Sequence, residues 1–356
     1  MNEHKRELVV LMVILIGAHF FLGCKGKVSG HYGEDSYVSL TDVGISPVML
    51  ESFVSIDTYE DGALISDPEL LVSPGEKSPF IYFYDGKQHK IGKIAIGSNM
   101  VVMSFGDFGT GPGEISSISS IDVNRDTVYV WDWEMMRLSK FSATDGAFWE
   151  SQKVSNFVFN GRIMNVDQDG FFLATMNEEV AQPVAELYSE KGYGFKNQKN
   201  YYTGVAEKYD DKLLHKVGDW LYLVSTSRPE IELINISSLD STVYDLSQIS
   251  FYMKESELIT EEYRKDGNSN TTIMIVEDFC VGEEEIVYLL CYSRKKGTGL
   301  NTVIACDLKN KSVLANYILK RKGDNESNWY NSIFVRNGVL YASNNTHSSV
   351  DVFKLH

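Results

Sequence analysis

The sequence predicts an all-β fold of repeated small antiparallel sheets, and three observations carry that prediction. A short apolar run with a central aromatic residue recurs six times, the same order of strand, tight turn and aromatic strand surrounds it, and helical periodicity is nearly absent. The runs are "FIYFYD" at Tyr82, "VYVWD" at Tyr129, "FFLAT" at Phe172, "WLYLVS" at Tyr222, "IVYLLC" at Tyr288 and "VLYASN" at Tyr341, spaced 47, 43, 50, 66 and 53 residues apart. Periods in this range mark propellers or solenoids, because each unit is too thin to bury its own faces and must stack on its neighbours. Six units fill nearly all of the chain that follows Cys24. The expected fold is therefore a six-bladed β-propeller of four-stranded antiparallel blades, occupying residues 48–356.

The chain opens with a charged head carrying Lys5 and Arg6, then runs "LVVLMVILIGAHFFLG" from Leu8 to Gly23 before Cys24. This apolar run of 16 residues is short for a membrane span, which needs about 20. Its order of charged, apolar and cleavage regions is that of a signal peptide over residues 1–23. Phe21-Leu22-Gly23-Cys24 resembles a bacterial lipobox with Phe21 where Leu is usual, and the resemblance implies cleavage before Cys24 and acylation of its thiol. An uncleaved anchor and an ordinary secretory signal are the alternatives. Residues 24–47 then read as lipidated cysteine and polar tether, holding a domain that need not touch lipid.

Each unit begins with an apolar strand such as "SSIDV", "IMNV" or "SIFV" and turns at "NRD", "DQDG" or "RNG". The aromatic strand follows, then a further strand such as "RLSKF", "IELINI" or "VDVFKL". The 66-residue interval contains "KESELITEEYRKD", Lys254 to Asp266, whose spacing fits one short amphipathic helix inserted between units. The last unit stops after its third strand, and "VMLESFVSID", Val48 to Asp57, supplies a spare strand to complete it. Without that strand an open edge would remain.

The most unusual stretch is "GDFGTGPGEI", Gly106 to Ile115. A phosphate loop would end in Gly-Lys-Ser/Thr or lead into a helix; here Glu114 and a β-rich run follow, and Pro112 removes a backbone N–H. It reads as a connector between two blades. The run "FGDFGTGPGEISSISSIDVNRDTVYVWDWEMMRLSKFSATDG" resembles the repeat of NHL-type propellers, and with the lipobox in front the chain resembles the six-bladed TolB-like propeller lipoproteins of the Bacteroidota. The resemblance implies that Gly106, Gly109, Gly111, Pro112 and Gly113 form a close-packed connector, that Glu114 accepts backbone hydrogen bonds and that Asp132 caps the turn after its strand. The Asp132 position, three past the central aromatic, becomes Ser225, Cys291 and Asn344 in later units.

Chemistry is sparse. A formal net charge of −16 repels nucleic-acid phosphates and excludes nucleic acid as a partner. Cys280, Cys291 and Cys306 lie in apolar runs without a CxxC and read as small buried hydrophobes, with a Cys280–Cys291 disulfide as the alternative. NHL-fold lyases place several histidines round a metal; this chain offers His215 and His347 as a weak pair, and no metal or cofactor is expected. "NVDQDG" lacks the final Glu of an EF-hand loop, having Met176 there. No G-x-S-x-G occurs. Most aromatics alternate within strands and belong to blade packing. Trp133 stands outside a strand, so Trp133, Met135 and Arg137 form the candidate ligand surface. The expected function is a non-enzymatic, lipid-anchored, monomeric envelope scaffold that binds a peptide, protein or glycan on the periplasmic side of an outer membrane. The competing reading is an envelope lyase or glycan-acting hydrolase with its site in the channel.

Overall fold

The computed structural model describes residues 36–42, 44–73, 78–153, 164–167, 170–177, 182–189, 212–235, 237–238, 240–266, 274–294, 299–324 and 328–355. The signal peptide, Cys24 and most of the tether lie outside these residues, as do the side chains between residues 154 and 212.

Three short strands come first: β1 (Ser36–Ser39), β2 (Val48–Glu51) and β3 (Val54–Ile56). A four-stranded antiparallel blade follows, of β4 (Pro68–Val72), β5 (Phe80–Asp85), β6 (Lys90–Ala95) and β7 (Val101–Phe105). The connector contains the short parallel pair β8 (Asp107–Phe108) and β9 (Glu114–Ile115). The next blade is β10 (Ile118–Asn124), β11 (Thr127–Asp132), β12 (Arg137–Ser142) and β13 (Phe148–Lys153). A three-stranded sheet, β14 (Met164–Asp167), β15 (Gly170–Asn177) and β16 (Gln182–Ser189), is followed by a blade of β17 (Lys212–Val217), β18 (Trp220–Ser225), β19 (Glu230–Asn235) and β20 (Ser241–Asp245). After helix α1 (Ser250–Asp266) come β21 (Val276–Val281), β22 (Ile286–Ser293), β23 (Gly299–Asp307) and β24 (Ser312–Lys320). The last blade is β25 (Tyr330–Arg336), β26 (Val339–Asn344) and β27 (Ser349–Lys354), completed by β3.

Five complete four-stranded blades are thus described, rather than the six that the repeat spacing predicts; the interval around Phe172 holds the three-stranded sheet. Each of the six aromatic markers falls on the second strand of its sheet, from Tyr82 on β5 to Tyr341 on β26. First strands neighbour one another in the cyclic order β4, β10, β14, β17, β21, β25 and back to β4. The turns follow local chemistry: Asn337 and Gly338 between β25 and β26 both have positive φ, 49° and 68°, as a two-residue hairpin of the mirror-image type requires.

The core lies between blades. Adjacent residues of a strand point to opposite faces, and both faces are covered. Tyr82 packs with Ile118, Val128 and Phe141 of the following blade, while Phe83 packs with Tyr341 and Val352 of the last one. That is why β5 is nearly continuously buried instead of alternating. Each such side chain contributes about 1.5–3 kcal/mol, so a blade is held by its neighbours more than by itself. Similar clusters join the β17–β20 blade to the β21–β24 blade and the latter to the last blade.

The N-terminal segment behaves differently from expectation in part. The predicted closing strand is present, but only Val54–Ile56 performs the closure, antiparallel to β27. Val48–Glu51 instead lies parallel along the outer edge of β24, and β1, inside the expected tether, lies parallel along β20. The segment is a belt covering two blade edges that would otherwise present unpaired backbone groups. It also caps α1: the Asp42 carboxylate receives the Ser250 N–H at 3.2 Å, the Ser250 hydroxyl, and the Gly44 and Ile45 N–H groups at 3.0 Å each. Partial burial pushes the Asp42 carboxyl up, yet these hydrogen bonds outweigh it and leave the group below its ordinary range. The helix begins four residues before the expected Lys254, because Ser250 with a cap from a distant segment starts it earlier than its own charge pattern shows.

Cys280, Cys291 and Cys306 are buried free thiols, so the alternative disulfide does not form. In the register Cys280 faces Tyr288 and Cys291 faces Val276. Burial pushes the Cys306 thiol up to about 12.

Candidate binding site at the channel mouth

In four blades the end of the second strand carries a side chain that caps the following turn. Gln88 N–H donates to Asp85, Met135 N–H to Asp132, Arg228 N–H to Ser225 and His347 N–H to Asn344. The substitutions along this repeated position therefore keep an oxygen acceptor in four blades. Cys291 is the exception; β22 runs on to Ser293 past it. Asp85 and Asp132 also reach the segment entering their own blade: Asp85 accepts from Tyr59 O–H at 2.8 Å, Ser66 N–H at 2.9 Å and Asp67 N–H at 3.0 Å, and Asp132 from Ser116 N–H at 2.8 Å. These turns and the blade connectors consequently share one end of the ring.

The glycine-rich connector folds back on Glu114. Gly111 N–H donates to Glu114 at 2.7 Å. Gly109, at φ 154°, passes so close that a Cβ there would lie 2.1 Å from the Glu114 carboxylate. Arg137, proposed from sequence as a ligand contact, is consumed here instead. Its guanidinium donates to the carbonyls of Thr110 and Gly111 at 3.1 Å and of Glu114 at 2.6 Å, and lies 3.9 Å from Asp132. A buried Arg facing three carbonyls is a structural clamp. Met135 is half-buried with its N–H on Asp132, and Trp133 is exposed in the β11–β12 turn with its N–H on Ser117.

A cavity of about 190 Å³ lies where three first strands meet, lined by Glu69, Leu70, Glu277, Trp329 and Asn331. None of the sequence-proposed ligand residues lines it. Its construction is systematic. Immediately after the residue that pairs with the repeated position at the end of the second strand, the first strand slips register at Glu277 in β21, at Asn331 in β25 and at Ser119 in β10; in β4 the slip comes one residue later, just past Glu69. Leu70, within the β4 irregularity, has φ 55°. A bulge leaves one residue outside the ladder and re-aims its side chain. Three of the five lining residues, Leu70, Glu277 and Asn331, are of this kind.

The floor is fixed by a relay across the same three blades. Ser332 Oγ donates to Asp278 at 2.6 Å and accepts the Leu71 N–H at 2.9 Å, while Ile333 N–H also donates to Asp278 at 2.9 Å. The rim is fixed from the helix side. Buried Glu255 of α1 accepts Arg294 N–H at 2.9 Å and faces its guanidinium at 3.5 Å; Arg294 lies 5.0 Å over the Tyr292 ring, and Tyr292 meets Trp329 edge-on at 5.5 Å. Trp329 remains 42% exposed. Glu69 stands near enough to Tyr84 for its charge to add to burial in pushing that phenol above its ordinary range.

His215 and His347 have different surroundings. His347, in the β26–β27 turn, pairs with Asp324. His215, on β17, packs edge-on against Phe279 at 6.0 Å, and burial pushes its imidazole down to about 4. No group of three potential metal ligands occurs among the described residues. The cavity residues escaped sequence reasoning because a bulge is a matter of register; the available hint was an acidic or amide residue interrupting the apolar first strands "VEDFCV" and "YNSIFV".

No known protein family matches the chain, and no curated protein does. Among solved structures, a Bacteroides fragilis protein named as a presumed exported protein superposes with a TM-score of 0.57 at 15% identity, covering 89% of this chain and 99% of that one. The β-propeller domain of Myceliophteria thermophila Cps50 (Swd1) gives 0.47 at 9% identity, over 86% of this chain and 100% of that one. The first of these likenesses concerns the fold alone. With four-stranded antiparallel blades, first strands in cyclic contact and one inserted helix, the chain is an all-β propeller.

Proposed function

We propose that the protein is a lipid-anchored binding propeller of the bacterial envelope, TolB-like and NHL-like in its repeat, which holds a peptide, protein or glycan ligand at the channel mouth without transforming it. The observation that carries this reading is the cavity between β4, β21 and β25, where successive blades each spend an out-of-register residue on its wall. Preformed concave sites with few convergent polar groups are binding sites by default. In the same reading the β14–β16 sheet is the sixth blade, seated between β10 and β17. Anchoring rests on the lipobox-like Phe21-Leu22-Gly23-Cys24, and the exported name of the Bacteroides fragilis neighbour is consistent with it. The domain is a monomer reached from the periplasm, tied to the outer membrane through Cys24 alone.

Two experiments test it. Expression with an alkyne fatty acid labels the native chain and leaves Cys24→Ser unlabelled; equal labelling of both refutes the anchor. Peptide and glycan arrays probed with the full chain in detergent identify a ligand whose retention depends on Trp329 and which is recovered unchanged. Cleavage of that ligand turns the assignment to an envelope lyase or hydrolase.

A further inference from the structure

Four large apolar side chains stand in solvent at the mouth end of three consecutive blades. They are Trp329 before the last blade, Leu64 on the segment entering the first, Phe108 in the connector to the second, and Trp133 in the β11–β12 turn. Leu64 is 65% and Phe108 67% exposed, the highest values for large hydrophobic side chains among the described residues. Exposed apolar residues scattered singly are ordinary, but these are linked by a run of contacts. The Trp329 carbonyl accepts the Asn345 N–H at 2.8 Å, and the Asn345 amide donates at 2.6 Å to Asp67, on the segment of Leu64. The Leu64 carbonyl accepts from Gln88 Nε2 at 3.4 Å, and the neighbouring His89 ring lies 4.5 Å from that of Phe108. The connector that carries Phe108 runs on to Ser117, whose carbonyl accepts the Trp133 N–H at 3.1 Å. The four side chains are thus presented on one fixed arc, and covering them costs little ordering of this chain. The fully exposed charged residues on the same segments and turns are Glu60, Asp61, Asp107 and Glu134, against Lys87 as the one base. Glu134 is held beside the connector by the hydroxyls of Ser116 and Ser117, each donating at 2.9 Å. None of these charged residues lines the cavity. An apolar centre edged with solvated acids is complementary to an apolar patch edged with bases.

Resting on the binding-module reading, we propose that a polypeptide segment docks along this arc, its apolar side chains against Trp329, Leu64, Phe108 and Trp133 and its lysine or arginine residues towards Glu60, Asp61, Asp107 and Glu134. Leu64 and Phe108 have no hydrogen-bonding tip, so apolar side chains cover them without loss, whereas the hydroxyls of a glycan would be stripped of water against them. The two tryptophans are the kind of anchor on which such a contact concentrates its energy.

The test uses the full chain in detergent and a fluorescein-labelled, end-capped peptide, Lys-Leu-Gly-Lys-Phe-Gly-Lys-Leu-Gly-Lys-Phe-Gly, read by anisotropy against a detergent blank. One analogue replaces every lysine with glutamate, and another replaces every leucine and phenylalanine with serine. The lysine peptide is expected to bind about tenfold or more tightly than either analogue, and to weaken as salt is raised. Phe108→Ala combined with Trp133→Ala should weaken it about tenfold or more. Asp107→Asn combined with Glu134→Gln should narrow its advantage over the glutamate analogue. Trp220→Ala, in the β17–β18 turn at the opposite end of its blade, should change nothing. All five positions are exposed, and unchanged thermal melts confirm folding. Binding unaffected by the Phe108 and Trp133 replacements overturns the arc; an array ligand that still depends on Trp329 then leaves the binding-module reading standing. Equal affinity for the lysine and glutamate peptides overturns the basic partner. Absence of binding by all three peptides overturns the docking proposal, and absence of any array ligand as well overturns the binding-module reading. Tighter binding of chitotetraose than of the lysine peptide, lost with the same two replacements, overturns the polypeptide assignment.

Discussion

Replacing Asp85 tests the repeated turn cap where it carries most weight. Its carboxylate is fully buried and receives four donors: Tyr59 O–H at 2.8 Å and the N–H groups of Ser66, Asp67 and Gln88 at 2.9, 3.0 and 3.2 Å. Asp85→Ala strands all four. Tyr59 is itself buried, so its hydroxyl bears about 2 kcal/mol, whereas the three part-buried N–H groups recover some hydration and cost roughly 0.5–1 kcal/mol each. The expected loss is about 4 kcal/mol, a large share of the 5–15 kcal/mol typical of a domain. Asp61→Ala is the control, because Asp61 accepts one exposed bond, from Ala63 N–H at 3.0 Å, and its loss costs about 0.5–1 kcal/mol. Asp85→Asn keeps one carbonyl oxygen and falls between them. The assay is guanidinium denaturation of the full chain in detergent, followed by tryptophan fluorescence. Equal midpoints for Asp85→Ala and Asp61→Ala would show that the second-strand caps do not hold the blades to their connectors.

Gly146 has φ 73°, and a Cβ there would lie 2.6 Å from the Phe105 Cβ; Gly146→Ala should cost about 2–3 kcal/mol, against about 1 for Gly62→Ala, whose φ of 83° is similar but whose surroundings are open. His215 titrates at about 4 in the fold because burial disfavours its charge, while the unfolded chain takes the proton near pH 6.5. Stability contributed by the neutral ring is therefore present above about 6.5 and is lost as pH falls towards 4, by up to about 3 kcal/mol; His215→Gln should flatten that part of the stability profile, and an unchanged profile refutes the assignment. Glu255→Ala leaves Arg294 without its buried carboxylate and should cost about 3–5 kcal/mol. Through Tyr292 it should also loosen Trp329, read as increased iodide quenching relative to Trp329→Phe backgrounds; quenching equal to the parent would break the link from helix to mouth.

Features set by local chemistry were legible in the sequence, and features set by register were not. The aromatic markers were legible because a buried second strand needs a large side chain on each covered face, and Tyr82 and Phe83 serve one neighbour each. The roles of Glu114 and Asp132 were read only through the resemblance of their repeat; in the structure Glu114 accepts the Gly111 N–H and Asp132 the Met135 N–H of the turn after its strand. Arg137 was misread: "DWEMMR" looks like a surface turn, yet the carbonyls that bury the guanidinium come from a connector more than twenty residues earlier. The bulges at Glu277 and Asn331 were invisible because they exist only relative to β22 and β26. The parallel seating of β1 and β2 was likewise unreadable, since their partners lie about 200 and 270 residues away along the chain and edge pairing through backbone groups requires no particular side chain. The count of complete blades also departs from the spacing arithmetic, because recurring aromatic strands fix the recurrence of a unit and not the number of strands that each unit completes.

The channel mouth exists only if β3 closes the last blade, bringing β25 beside β4. Val54 and Val352 are paired partners across that seam, so Val54→Cys with Val352→Cys places two thiols face to face, while Cys280, Cys291 and Cys306 stay buried. Under mild oxidation the folded chain should form this single bond, detected by peptide mapping after thiol blocking, and resist denaturation by an added amount of up to roughly 5 kcal/mol. If both introduced cysteines remain free and alkylate independently in the folded protein, the ring is not closed by this strand and the cavity has no wall.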